Sequence, residues 1–255
     1  MDIVLLTQDE PFYLAKSISY LISNLPGKYK ITTCVLFDVS PFGKRESFLQ
    51  KAKRTYEVFG FKFFLYYGMN YLLSKISSSN KVEKVLQDQN IPIIKLEKSV
   101  NHKDSLEIIS SYKPDILLSI AGNQIFKSQF INLPPKGTLN LHTALLPKYR
   151  GLMPTFWVMK NDEDYTGVSV FLVDEGIDSG PIVVQKKVKI NKSWSQRDLI
   201  KETKKIGMDA IIEAIEKIDS GKYDLIPNPK EESTYFSFPT RKDVKEFLTK
   251  GKKFF

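Results

Sequence analysis

Residues 138–151 read TLNLHTALLPKYRG. An alternating apolar run ends in one of only two histidines in the chain and passes straight into a Leu-Pro-Lys-Tyr-Arg-Gly turn. Alternation with period two predicts a strand over 138–142, with Leu139 and Leu141 in one layer and Asn140 and His142 sharing the opposite face. The C-terminal end of such a strand is where ligands bind in open parallel α/β sheets. An amide beside an imidazole there supplies one firm hydrogen-bond donor and one adjustable donor or acceptor, a pair suited to a carbonyl that becomes a tetrahedral oxyanion. On its own the pair is equally a satisfied structural histidine, so the rest of the chain has to decide.

Upstream, short β-rich runs alternate with helix-like segments: DIVLLT (2–7), KITTCVLF (30–37), IPIIKL (91–96) and DILLSIAG (115–122) precede TLNLH. Helical spacing is expected in EPFYLAKSISYLISNL, in a segment from about Gly43 to Ser79, in KVEKVLQDQ and in KDSLEIISSY. This rhythm predicts an α/β fold of right-handed βαβ units: a Rossmann-like, mostly parallel sheet flanked by helices. Beyond His142 the rhythm changes. GVSVFLV (167–173) and PIVVQKKVKI (181–190) read as strands joined by a loop, and SQRDLIKETKKIGMDAIIEAIEKIDSG as one long helix with Ser195 at its N-cap and Gly221 just past its end. Residues 1–221 are expected to form the main domain. Residues 222–255, rich in Pro, Asn, Ser and Tyr up to Pro239 and then a short helix TRKDVKEFLTKG, form a loop-rich C-terminal extension packed on it.

At 255 residues, 42% hydrophobic and 26% charged, the chain has the composition of an ordinary globular protein. No run is long and apolar enough for a membrane segment, and MDIVLLTQDE does not resemble a signal peptide, so a cytoplasmic location is expected. One cysteine, Cys34, makes no internal disulfide, and two histidines with it cannot assemble a ligand cluster, so no metal is expected. The formal charge of +9 favours anionic partners without naming them. VFGFKFFLYYGMNYLL (58–73) is unusually aromatic. A core or subunit-contact helix accounts for it, as does binding to a membrane surface.

The loop VDEGIDSGPIV (173–183) sets Asp174, Glu175 and Asp178 between glycines and between two strands, where backbone can approach a ligand closely. LNLHTALLPKYRG followed by TGVSVFLVDEGIDSGPIV closely resembles the catalytic domain of the folate-dependent formyltransferases. Their pattern is Asn-x-His, a Leu-Leu-Pro-x-Tyr-x-Gly turn and an acidic loop ending in Asp-x-Gly. The resemblance is most specific over about residues 115–190. It implies a catalytic trio of Asn140, His142 and Asp178 acting on 10-formyltetrahydrofolate, with Asn140 and protonated His142 on the oxyanion and Asp178 assisting proton transfer. It also implies a folate site at Asn123, Gln124, Ile125 and Phe126 and at Val173, Asp174, Glu175, Gly176 and Ile177. Lys148, Tyr149 and Arg150 would lie on the substrate side, and the Leu146–Pro147 bond would be cis.

Within that family the acceptor amine is narrowed by departures. TQDEPFY (7–13) is acidic and glycine-free where glycinamide ribonucleotide enzymes have a Gly-rich phosphate loop. The residues after Gly221 are too few for the C-terminal barrel of the methionyl-tRNA enzymes, and no regulatory domain is expected before Asp2. The ending ESTYFSFPTRKDVKEFLTKG resembles the short enzymes that formylate a nucleotide-linked amino sugar, and a homodimer is expected. Tyr235, with Phe236 and Phe238, would then offer an aromatic surface to a nucleotide base or a second subunit, or simply pack on the core; Lys148, Arg150 or Arg241 would meet phosphates. An aminoacyl-tRNA acceptor is the alternative within the family, and a non-catalytic binding or scaffold protein is the alternative outside it. Asp9 and Glu10 either meet the substrate or cap the first helix.

Overall fold

The computed structural model describes residues 1–39, 47–76 and 81–255. The chain begins with β1 (Asp2–Gln8), α1 (Leu14–Asn24) and β2 (Lys30–Phe37), then runs through α2 (Phe48–Phe59), α3 (Phe61–Ile76) and α4 (Val82–Asp88). The ends of the helical segment expected between Gly43 and Ser79 lie outside the described residues, and Gly60, at φ 85°, divides its interior into two helices. Next come β3 (Ile93–Ile94), α5 (Lys103–Ser111), β4 (Ile116–Ile120), α6 (Ser128–Ile131) and β5 (Thr138–His142). The second half holds β6 (Arg150–Gly151), α7 (Pro154–Lys160), β7 (Tyr165–Leu172), β8 (Ile182–Lys189), α8 (Gln196–Ser220), β9 (Tyr235–Phe236) and α9 (Arg241–Thr249).

Seven strands form one sheet in the order β3-β2-β1-β4-β5-β7-β8. The first five are parallel, and β7 runs antiparallel to both β5 and β8. The expected α/β architecture is therefore present, with two antiparallel strands added at one side. Strand order reverses between β1 and β4, which opens a crevice at their carboxyl ends. Thr7 Oγ1 donates to the Ile120 carbonyl at 2.9 Å and Gln8 Nε2 to that of Ala121 at 2.5 Å, tying the two ends together.

Alternation sends Ile3, Leu5, Leu118, Leu139 and Leu141 into a core closed by α1 and α8, and Val4, Leu6 and Leu117 into another closed by α5 and α6. Leu6, Ser119, Asn140 and Phe171 lie in one register row across four strands. Asn140 and His142, out of phase with Leu139 and Leu141, thus belong to the α5–α6 face.

IPIIKL pairs only through Ile93 and Ile94 at the sheet edge, where the Pro92 carbonyl accepts Cys34 N–H (2.9 Å) and Thr33 Oγ1 (2.9 Å). α8 starts in a capping box of Ser195 and Asp198 and ends at Gly221, φ 64°. The loop-rich extension is tied down at two points: β9 pairs in parallel with β6, and Ile226 bridges Ile182.

The extension closes a third, aromatic core. Phe247 is fully buried and stacks on Phe156 (4.9 Å between ring centres) and Phe254 (4.8 Å). Phe254 meets Phe59 and Phe63, so the chain's last residues hold the inner side of the aromatic segment 58–73. The carbonyls of Lys253 and Phe254 accept the N–H groups of Gln196 and Arg197, which the first turn of α8 leaves without intrahelical partners. Phe247→Ala is expected to lower stability by about 3–5 kcal/mol through loss of apolar burial and a residual cavity, checked by denaturant unfolding.

Candidate active site

His142 is buried, and both ring nitrogens face acceptors. Nε2 lies 2.7 Å from the Tyr149 carbonyl, which can only accept, so Nε2 carries a proton. Nδ1 lies 3.5 Å from Asp178 Oδ2, an ion-pair distance and the looser of the two contacts. Asp178 Oδ2 also accepts the Gly151 amide at 2.8 Å. One carboxylate oxygen, Oδ2, is therefore both aimed by backbone and faced by the imidazole. Asn140 sits on the same strand face two residues earlier, half-buried, and its amide has no hydrogen-bond partner among the described residues. The structure thus brings Asn140, His142 and Asp178 to one end of β5, with the His–Asp pair held and the Asn amide open.

Left-handed backbone at Tyr149 (φ 61°) and Asp178 (φ 50°) strains the loops that deliver these groups. Gly151 (φ 96°) takes a positive φ at no steric cost, and the Leu146–Pro147 bond is cis. A Cβ on Gly151 would lie 2.3 Å from the Phe236 carbonyl, so only glycine lets β6 approach β9 and donate to Asp178. The turn after His142 is held from β7 and β8: Ser169 Oγ donates to the Ala144 carbonyl (2.8 Å) and accepts from Leu146 N–H (3.1 Å), while Gln185 Nε2 donates to the Leu146 carbonyl (2.9 Å).

Lys148 and Tyr235 are exposed. Tyr149 and Arg150 are not presented to solvent. Tyr149 stacks on Phe236 at 5.2 Å and its hydroxyl donates to Glu163 at 2.5 Å; burial, with that carboxylate, pushes the phenol up to about 12. Buried Arg150 donates through Nη2 to the backbone (3.0 Å) and side-chain (2.7 Å) oxygens of Asn228. Phe236 and Phe238 go to the aromatic core, Phe238 edge-on to Phe59 under the Arg54 guanidinium, and Arg241 donates to the Val58 carbonyl.

Asn228 has no sequence signal, lying 50 residues from Asp178 in the extension. Its Nδ2 donates to the carbonyls of Asp178 (3.0 Å) and Gly180 (2.9 Å). Thr234 does the same for the histidine turn, with Oγ1 accepting from Tyr149 N–H (2.8 Å) and its carbonyl from Arg150 N–H (2.9 Å). The extension therefore positions both partners of His142. Asn228→Ala is expected to cost about 1–3 kcal/mol by leaving part-buried carbonyls without donors, and faster amide exchange across residues 174–180 checks it.

Of the proposed folate residues, Ile125 and Ile177 are exposed on two different loops. Those loops are joined where Ser128 Oγ donates to Glu175, and Val173 N–H donates to the Thr138 carbonyl (2.7 Å). Asp174 accepts from Gly176 N–H (3.0 Å) and Ser179 Oγ (2.5 Å), shaping its own loop. Gln124 accepts from Val100 N–H (3.1 Å), Asn123 donates to the Asp38 carbonyl (2.7 Å), and Phe126 is buried on Phe130 at 4.7 Å.

The acidic TQDEPFY loop is a capping device twice over. Glu10 accepts the N–H groups of Phe12, Tyr13 and Leu14 (2.8, 3.0 and 3.2 Å), and Asp9 accepts that of Val82 (2.8 Å) at the start of α4. Burial pushes the Glu10 carboxyl up and the Lys204 ammonium down from their ordinary values, with the opposite charge of each resisting the shift in the other.

A family model described as formyl transferase matches residues 71–215, more than half of the chain. A methionyl-tRNA formyltransferase of Kosmotoga olearia is 36% identical over 163 residues, covering 64% of this chain and 52% of the relative. The chain thus spans about half the length of such curated relatives. Among solved structures, a sugar N-formyltransferase from a Shewanella species aligns with TM-score 0.61 and 17% identity, covering 93% of this chain and 77% of that one. An N-formyltransferase of Helicobacter canadensis, solved with folinic acid and dTDP-3-aminofucose, aligns with TM-score 0.58 and 20% identity over 95% and 72%. The structural likeness concerns the fold alone. With the family model spanning β5, its histidine turn and the acidic loop, this chain belongs to the formyl transferase family.

Proposed function

We propose that the protein is a 10-formyltetrahydrofolate-dependent N-formyltransferase whose acceptor is the primary amine of a nucleotide-linked amino sugar. The observation that carries the reaction type is the convergence of an open Asn140 amide with a His142–Asp178 pair at 3.5 Å. When bound, the folate supplies an activated formyl carbon, and the Ile125 and Ile177 loops would hold it. Asn140 donates toward the formyl oxygen as it gains charge. His142, fixed through Nε2 to the Tyr149 carbonyl, presents its Nδ1 side beside the carboxylate and adds positive character there. As the amine nitrogen bonds to the formyl carbon, Asp178, aimed by the Gly151 amide, receives the proton that the amine sheds and would deliver it to the folate nitrogen as that nitrogen's bond to the formyl carbon breaks.

The sugar-nucleotide acceptor rests on the resemblance of the chain's ending and on the sugar N-formyltransferases among its structural neighbours. The aminoacyl-tRNA reading is favoured by a different observation, the 36% identity to a methionyl-tRNA formyltransferase. Incubation with 10-formyltetrahydrofolate and each acceptor separates them. Turnover of a dideoxy-amino-sugar nucleotide without formylation of charged initiator tRNA is the expected result. Formylation of the tRNA alone, suppressed by salt, would reverse the choice, and absence of folate binding would remove the enzyme reading.

A further inference from the structure

We infer that the α2–α3 hairpin is a docking surface for an anionic lipid bilayer, with α3 lying along the surface. The inference stands apart from the formyl-transfer reading. The inner side of α3 is already partnered: Phe63 stacks on Phe59 (4.5 Å), Tyr66 on Phe255 (3.7 Å), and Tyr67 meets Phe12 (4.6 Å). Its outer side carries Phe61, Leu65, Met69, Leu72 and Leu73, each at least half exposed. Spacings of four, four, three and one place them on one face. Phe48 of α2 is also exposed and meets Tyr71, on another side of α3, at 6.0 Å.

Charge selects the occupant. Residues 48–76 hold five Lys or Arg and a single acid, Glu57; α3 itself has no acid, and exposed Lys62 stands at its N-terminal end. A second copy seated on this face by two-fold symmetry would oppose basic rim to basic rim. An anionic headgroup layer gains from each lysine while the apolar face enters the acyl boundary. At 16 residues α3 is about 24 Å long, short of a bilayer core of roughly 30 Å, so it lies on the surface rather than spanning it. No helix among the described residues is long and apolar enough to cross a membrane.

The test is co-flotation of the full-length chain with phosphatidylcholine vesicles, with and without phosphatidylglycerol. Binding to the phosphatidylglycerol vesicles that weakens with salt is expected, and Leu65→Asp/Leu72→Asp should reduce bound protein about tenfold or more with an unmoved unfolding midpoint. Lys62→Glu, which leaves the apolar face intact, should weaken binding to anionic vesicles as an independent readout. The inference is overturned if the wild type floats with neither vesicle, or if both variants bind as it does. It is also overturned if light scattering shows a wild-type dimer that Leu65→Asp/Leu72→Asp dissociates while vesicles bind neither protein.

Discussion

Asn140→Ala is expected to lower the turnover number for formyl transfer by about 10²–10³-fold while leaving stability unchanged. The two halves of that expectation have separate grounds. The rate loss follows from removing a donor aimed at developing charge. The unchanged stability follows because the Asn140 amide has no partner among the described residues and is half-buried, so alanine leaves no group orphaned. His142→Ala should match it in rate and differ in stability. That side chain is buried between the Tyr149 carbonyl at 2.7 Å and Asp178 at 3.5 Å, and its loss leaves a buried carbonyl without a donor, costing about 1–3 kcal/mol. Steady-state kinetics beside denaturant unfolding of both variants check the contrast. Equal loss of stability in the two would mean that Asn140 is a structural amide and not the open donor.

This contrast also marks what the amino-acid pattern could reveal. Asn140 and His142 were legible because period-two alternation assigns a face without knowledge of the neighbours, and Leu139 and Leu141 define the opposite one. The strands β1, β2, β4, β7 and β8 were legible differently, as short β-rich apolar runs set between helix-like segments or turn residues. Arg150 was not. It stands next to Lys148 and Tyr149 in a turn, where no periodicity says which side chain turns in, and the left-handed backbone at Tyr149 sends Arg150 inward to Asn228, 78 residues away. Asn228 itself is one polar residue among many in the extension. Its role depends on two carbonyls at the acidic loop, and a hydrogen bond from an amide to distant backbone leaves no local trace. The short element α6, of four residues, falls below the length at which a helical period can be read.

Asp178→Asn should be the more informative change at the carboxylate, because it is nearly isosteric and separates charge from shape. The asparagine side-chain oxygen can still accept the Gly151 amide now held at 2.8 Å, so the loop should keep its left-handed turn and its ties to Asn228. What changes is the charge: the oxygen that accepts the Gly151 amide is the same one that faces His142 Nδ1 at 3.5 Å, and in asparagine it is a neutral amide oxygen. A carboxylate oxygen there balances positive charge on the ring beside a forming oxyanion, and an amide oxygen does not. The variant also has no site to receive the proton released by the attacking amine. Loss of a proton acceptor alone is worth about 10²–10⁴ in rate, so turnover should fall by at least the lower figure while folate affinity and unfolding midpoint stay near wild type. Rapid-quench measurement of a single turnover, with folate binding by titration, distinguishes this from a collapsed loop. In a collapsed loop affinity and stability would fall with the rate. A variant that keeps wild-type turnover would assign Asp178 to loop geometry alone, with proton transfer left to solvent.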